Sequence, residues 1–300
     1  VGQEFSVGQG DHTGAWPADA YYGELTSDWT DVQIDTTPSR EANKNRLGDG
    51  KFDQYKIPSD VELIVGRVDV YNMPAFSIDD TFLMRRYLDK NHKFKVGINK
   101  AQNRGLIDDN FTSYNLCSQG WRGFSSMFGS SNVTSVDYFT SMKAGSYLWS
   151  CGAGAGSYTS CSGIGNSTNF ATDSLQNIFT MLTGSFFGDW DNTNNILRAP
   201  LASKSPTLVS FWGGIPQWYI HQMAMGENIG YCARLTQNND QLYYHGNFNG
   251  SVKDIHIALM GDPSLRLQAV KPAGKLYLSV SSNDSVINMH WKNSADKIAG

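Results

Sequence analysis

Apolar residues in this chain fall into short runs separated by turns rich in Gly, Pro, Asn and Asp. The run VELIVGRVDV, Val61 to Val70, is β-branched and mostly apolar, which predicts a buried strand. Ser77, with Asp80 three residues later, has capping-box spacing and predicts a helix whose Phe82, Leu83, Tyr87 and Leu88 form one apolar side. FKVGI, Phe94 to Ile98, alternates as a strand should, so the three segments together spell a βαβ unit. SYLWS, Ser146 to Ser150, predicts the next strand, and Leu175, Ile178, Phe179 and Leu182 follow helical i, i+3, i+4, i+7 spacing. TLVSFW, Thr207 to Trp212, predicts another strand. Pro216 suits the first turn of a helix through Met223, and IHIALM, Ile255 to Met260, supplies a final strand. The expected class is α/β, with a mostly parallel sheet flanked by helices.

After Leu267 the pattern changes. Lys271-Pro272-Ala273-Gly274 has linker character, and LYLSVSSNDSVINMHW alternates in two short runs about a polar turn. This predicts the start of a fibronectin-type or Ig-like β-sandwich, a fold that needs about 100 residues in full. The expected division is an α/β domain over 1–268, a linker over 269–274, and the opening of the sandwich over 275–300.

Composition narrows the functional classes. The chain has 300 residues, of which 17% are charged and 12% aromatic, with a formal net charge of −4. No basic cluster accompanies this balance, so a nucleic-acid partner is not expected. No apolar run approaches the roughly 20 residues that span a bilayer. Residues 1–60 hold five basic against eleven acidic side chains, a net of −6, leaving +2 for the rest. Between Lys143 and Asp173 no charged side chain occurs, and Gly, Ser, Ala, Thr and Cys dominate. A low-charge surface rich in Asn, Ser, Thr, Gly and Tyr suits a secreted or cell-surface bacterial protein.

Several residue types could carry chemistry. Cys117, Cys151, Cys161 and Cys232 lack CxxC spacing, which argues against a zinc ribbon. They admit three pairings, none selected by sequence: Cys151 with Cys161 would close the Gly-rich segment as a short loop, and buried free thiols are the equal alternative. Cys151 is also an alternative nucleophile, with His221 or Cys161 as a neighbour across that loop. His12, His92, His245, His256 and His290 show no metal-type spacing. GAGAGS, Gly152 to Ser157, follows a strand but has no Walker lysine, so it is read as a surface loop. Trp149, Tyr158, Trp190 and Trp212 are candidates to line an aromatic groove for peptide or cell-surface glycan. Asp49 and Asp53, with Asn43 and Asn45 nearby, gather oxygen donors of the kind Ca²⁺ prefers.

Five stretches carry a family resemblance through their order: PADAYYGEL at Pro17 to Leu25, IPSDVELIVGRVDV at Ile57 to Val70, GAGS at Gly154 to Ser157, SFFGDW at Ser185 to Trp190, and LMGDPSLRL at Leu259 to Leu267. In these the chain resembles the gingipain-type cysteine peptidases, which implies a caspase-like α/β fold, here beginning after the family's first strands. The resemblance implies a base His in a Gly-His-Gly loop after one strand and a nucleophilic Cys after the next. The matching positions are Ala155, within Gly154-Ala155-Gly156, and Ser185. A thiol needs a neighbouring imidazole and backbone N–H donors for its oxyanion, and neither the imidazole nor the thiol is present at these positions. The expectation is a gingipain-like domain with a degenerate dyad that binds or assembles. The alternatives are a cysteine endopeptidase with another arrangement, such as one using Cys151, or an inactivated form of an active peptidase.

Overall fold

The computed structural model describes residues 2–3, 12–111, 113–213, 217–240, 242–243, 253–269, 277–283 and 286–292. At its centre are six strands: β1 (Gly105–Asp109), β2 (Val133–Ser135), β3 (Tyr147–Ala153), β4 (Asn177–Thr183), β5 (Val209–Trp212) and β6 (Leu259–Gly261). Their order across the sheet is β6-β5-β4-β3-β1-β2. All neighbours are parallel except β5 and β6. The chain therefore leaves β1 toward the β2 edge, returns to β3 on the other side of β1, and proceeds outward. In open parallel sheets such a reversal places candidate ligand crevices beyond the carboxyl ends of the strands.

Among the described residues, five α-helices of six residues or more accompany the sheet: α1 (Asp80–Lys95), α2 (Ser118–Phe128), α3 (Tyr138–Ala144), α4 (Ser167–Thr172) and α5 (Ile229–Gln237). The arrangement is compatible with a caspase-like fold. Every residue of β3 and β4 is buried, as expected of strands covered on both faces. On one face Trp149 stacks on Phe179 at 4.9 Å and meets Phe124 of α2 at 5.5 Å, while Phe211 stacks on Trp218 at 3.9 Å. The other face carries a buried polar chain: Tyr138 OH and Thr180 Oγ are 2.6 Å apart, Ser150 Oγ lies 3.0 Å from Thr180, and Asn177 donates to Ser150.

Several elements differ from the sequence expectations, for identifiable reasons. Val61 to Val70 forms no strand. It pairs with the sheet edge at Arg67, whose N–H donates to Leu259 O and whose carbonyl accepts from Gly261. Leu63 and Ile64 are exposed. The helix near Ser77 begins at Asp80 with Asp79 as its cap, whose carboxylate accepts the Phe82 N–H. Leu83 and Tyr87 are buried, but Phe82 and Leu88 are exposed. Phe94 belongs to this helix and Val96 and Ile98 to the turn after it, so the expected strand and βαβ unit are absent there. The helical spacing of Leu175, Ile178, Phe179 and Leu182 belongs to β4, because an uninterrupted buried apolar run satisfies both periods. The strand GLIDD, Gly105 to Asp109, was not predicted; its apolar core is two residues, Leu106 and Ile107.

Past Trp212, Pro216 lies outside the described residues, and His221–Met225 is a 3-10 turn rather than the end of an α-helix. Tyr277–Asn283 and Val286–Lys292 pair as an antiparallel hairpin, the part of the expected sandwich that the described residues contain. The linker Lys271 to Gly274 lies outside them. Among the described residues no helix is long and apolar enough to cross a membrane.

Ion pairs and a buried ammonium group fasten segments before the sheet, and α1, to this scaffold. Arg67 pairs with Asp19, and Arg198 with Asp69 at 2.9 Å. Lys90 of α1, also buried, donates to the carbonyls of Pro200, Ser203 and Ser205 at 3.3, 3.3 and 3.1 Å. Replacing Lys90 with Met leaves three carbonyls without this donor. A loss on the order of 1–3 kcal/mol is expected, read as a lower urea midpoint with unchanged slope.

Candidate functional site

The carboxyl ends of β1, β3 and β4 converge. Gly154 N–H donates to Thr183 O at 3.0 Å, and Asn110 N–H to Ala153 O at 2.8 Å. The following loops are in backbone contact: a Cβ at Gly156 would strike both the N and O of Ser185. Only glycine permits this approach. Ala155 is exposed, and Ser185 is half-buried. Among the described residues the Ser185 hydroxyl has no hydrogen-bond partner.

Phe186, the next residue, adopts φ 69°, a left-handed conformation that costs a bulky side chain energy. Its ring lies 4.6 Å from His12, which stacks on it, and 5.2 Å from Tyr158. His12 had no distinguishing spacing in sequence, and the structure brings it to the residue adjoining Ser185.

The rest of the SFFGDW segment serves as an anchor. Asp189 is buried, accepts from Asn43 Nδ2 at 2.9 Å and pairs with Arg40 at 2.8 Å, and Arg40 also reaches Asp191. Burial pushes the Asp189 carboxyl up to about 6; Asn43 and Arg40 oppose that shift, and Asp191 adds to it. Trp190 lies under the Arg67 guanidinium at 4.5 Å. Trp149, Trp190 and Trp212 are core residues, 0, 7 and 3% exposed, so they do not form the expected aromatic groove. Of the four, Tyr158 is half-exposed.

The cysteines are all buried. Cys151 lies with its Sγ 2.7 Å from that of Cys117, and is not presented to solvent as a nucleophile must be. Cys161 Sγ instead sits near Gly154 O and Thr183 O, at 3.7 and 3.6 Å. Burial raises the Cys117 and Cys161 thiols, which disfavours the reactive thiolate.

A cavity of about 210 Å³ lies beside these strand ends, lined by Gln119, Arg122, Trp218, Tyr219, His221 and Tyr243 among others. Gln119 Nε2 donates to Leu116 O, while its Oε1 is buried without a partner among the described residues. Tyr219 and Tyr243 stack at 4.8 Å, and His221 meets Tyr243 edge-on at 4.9 Å. Burial lowers the His221 pKa, which favours its neutral imidazole. Sequence reasoning saw the aromatic cluster around His221 but not its partners on α2, because a polar Gln-x-x-Arg helix turn carries no distinguishing signal.

Asp49 and Asp53 are engaged separately. Asp49 accepts from Arg46 and Lys51 N–H groups and pairs with the Lys51 side chain. Asp53 accepts from Val32, Gln33 and Asn45. Among the described residues no group of three His, Cys, Asp or Glu side chains could hold a metal ion. Compared with known proteins, the chain matches no family model, no curated protein and no solved structure.

The Asp189 carboxyl yields a pH prediction. Its folded pKa is raised above the ordinary carboxylate value, so its contribution to stability is complete below about pH 4 and is lost as pH rises through about 6. Melting temperatures of wild type and Asp189→Asn between pH 3.5 and 7.5 check this. The wild type should lose ground against the variant as pH rises, by on the order of 2–3 kcal/mol.

Proposed function

We propose that this chain is a secreted or cell-surface domain of gingipain-like descent that binds or assembles without peptidase chemistry. One observation carries the reading: two strand-end loops pack backbone to backbone at Gly156 and Ser185, one carrying the exposed Ala155 and the other the Ser185 hydroxyl, which has no partner among the described residues. A hydroxyl without a base is a weak nucleophile. The supporting geometry is that of neighbouring loops after consecutive parallel strands, where such a family would hold its imidazole and thiol.

The occupant in this reading is a protein, peptide or glycan segment at the strand-end crevice. The adjoining cavity supports it, since it combines aromatic faces, the Arg122 cation and the unfilled Gln119 acceptor. A second reading, hydrolysis at Ser185, draws on the His12 ring stacked against Phe186. It requires that imidazole to turn toward Ser185.

The test is peptide-library cleavage by the native chain and by the double variant Ala155→His with Ser185→Cys, each with and without calcium. The native chain is expected to be silent and to resist a fluorophosphonate probe. The double variant should be alkylated by iodoacetamide at the introduced thiol below pH 7 and cleave peptides. Labelling of native Ser185 that disappears in His12→Ala would replace the binding reading with the hydrolytic one.

A further inference from the structure

We propose that Cys117 and Cys151 are joined by a disulfide that staples the amino end of α2 to the centre of the sheet. Their Sγ atoms stand 2.7 Å apart. Even carbon atoms in non-bonded contact prefer about 3.5–4.0 Å, and sulfur is larger, whereas the S–S bond is about 2.05 Å. The observed separation is nearer the bond than the contact, and a shift of a few tenths of an ångström on each side, on the order of ordinary side-chain adjustment, closes it.

The approach is built by the surrounding backbone. Cys117 N–H donates to Asp109 Oδ2 at 2.9 Å, which holds it at the end of β1. In the sheet, Ile107 of that strand is the direct register partner of Cys151. One turn further along α2, a Cβ at Gly120 would lie 3.1 Å from the Cys151 Cβ and 3.4 Å from its Sγ. The missing side chain lets the helix press directly onto the strand at this pair. Both sulfurs are fully buried, and the unreactive Cys117 thiol offers neither a nucleophile nor a metal ligand in that setting.

Because burial shuts off exchange chemistry, the bond forms while the helix docks. With a glutathione-type disulfide as oxidant, one cysteine thiolate attacks a glutathione sulfur and expels a glutathione thiolate. The second cysteine then attacks the protein sulfur of the mixed disulfide and expels the other. Two electrons pass to the oxidant, and the two thiol protons end on the released glutathiones. The bond closes a loop between positions 34 apart in sequence. It also immobilises the helix turn that carries Gln119 and Arg122, and its persistence requires an oxidising compartment.

The test uses the whole chain produced in an oxidising bacterial periplasm. Unfolded in guanidinium with excess N-ethylmaleimide, it should take up two adducts of its four cysteines before reduction and four after. Peptide mapping should link Cys117 to Cys151. Adding reductant should raise the unfolding equilibrium constant by about two to three orders of magnitude, and the Cys117→Ala, Cys151→Ala double variant should not respond. Four adducts without reduction, a Cys151–Cys161 link, or a wild-type midpoint indifferent to reductant would each overturn the proposal. The adduct count needs no variant, so it decides even if the double variant does not fold.

Discussion

The parallel pairing of β3 with β4 is the constraint on which the rest depends. Its register runs from Tyr147 opposite Asn177 to Ala153 opposite Thr183, and every side chain along it is buried. The two faces are chemically opposite. Trp149 and Phe179 make an apolar stack on one, while Ser150, Thr180 and Tyr138 share hydroxyl hydrogen bonds on the other. A slip of one residue would turn hydroxyls into the aromatic layer and aromatic rings onto the polar chain, so register is strongly specified. The strand-end loops inherit their contact from that register.

Charge plays a complementary part. With few ionic side chains to spend, the chain buries several as anchors: Arg67 with Asp19, Arg198 with Asp69, and Arg40 with Asp189. Such pairs add little net stability compared with apolar packing, but losing one partner leaves an uncompensated buried charge. They hold an N-terminal segment with little regular structure against the sheet edge. Trp16, 5.9 Å from Trp212, supplies apolar contact to the same junction.

At the crevice, geometry and chemistry part company. The close loops, the strained Phe186 backbone and the buried carboxylate beyond it are features of a site in which positions are tightly held. The side chains offered there are a methyl and a hydroxyl, while the thiols lie inside the protein. Beside them the Gln119 and Arg122 cavity offers polar and aromatic groups without a nucleophile.

The sequence by itself determined the α/β class, the strands at Ser146 to Ser150 and Thr207 to Trp212, and the alternation of the C-terminal hairpin, because local period and β-branched content are properties of a few adjacent residues. It also determined that positions 155 and 185 carry no imidazole or thiol. Tertiary structure decided that Leu175 to Leu182 is strand rather than helix and that Val61 to Val70 lies at the edge. Burial on both faces erases periodicity, and edge pairing depends on which neighbour is available. The same holds for the partner of Cys151, the burial of the tryptophans, the place of His12 and the cavity wall on α2. Each is a contact between residues far apart in the chain, created only when the β1–β3–β4 register brings their elements together.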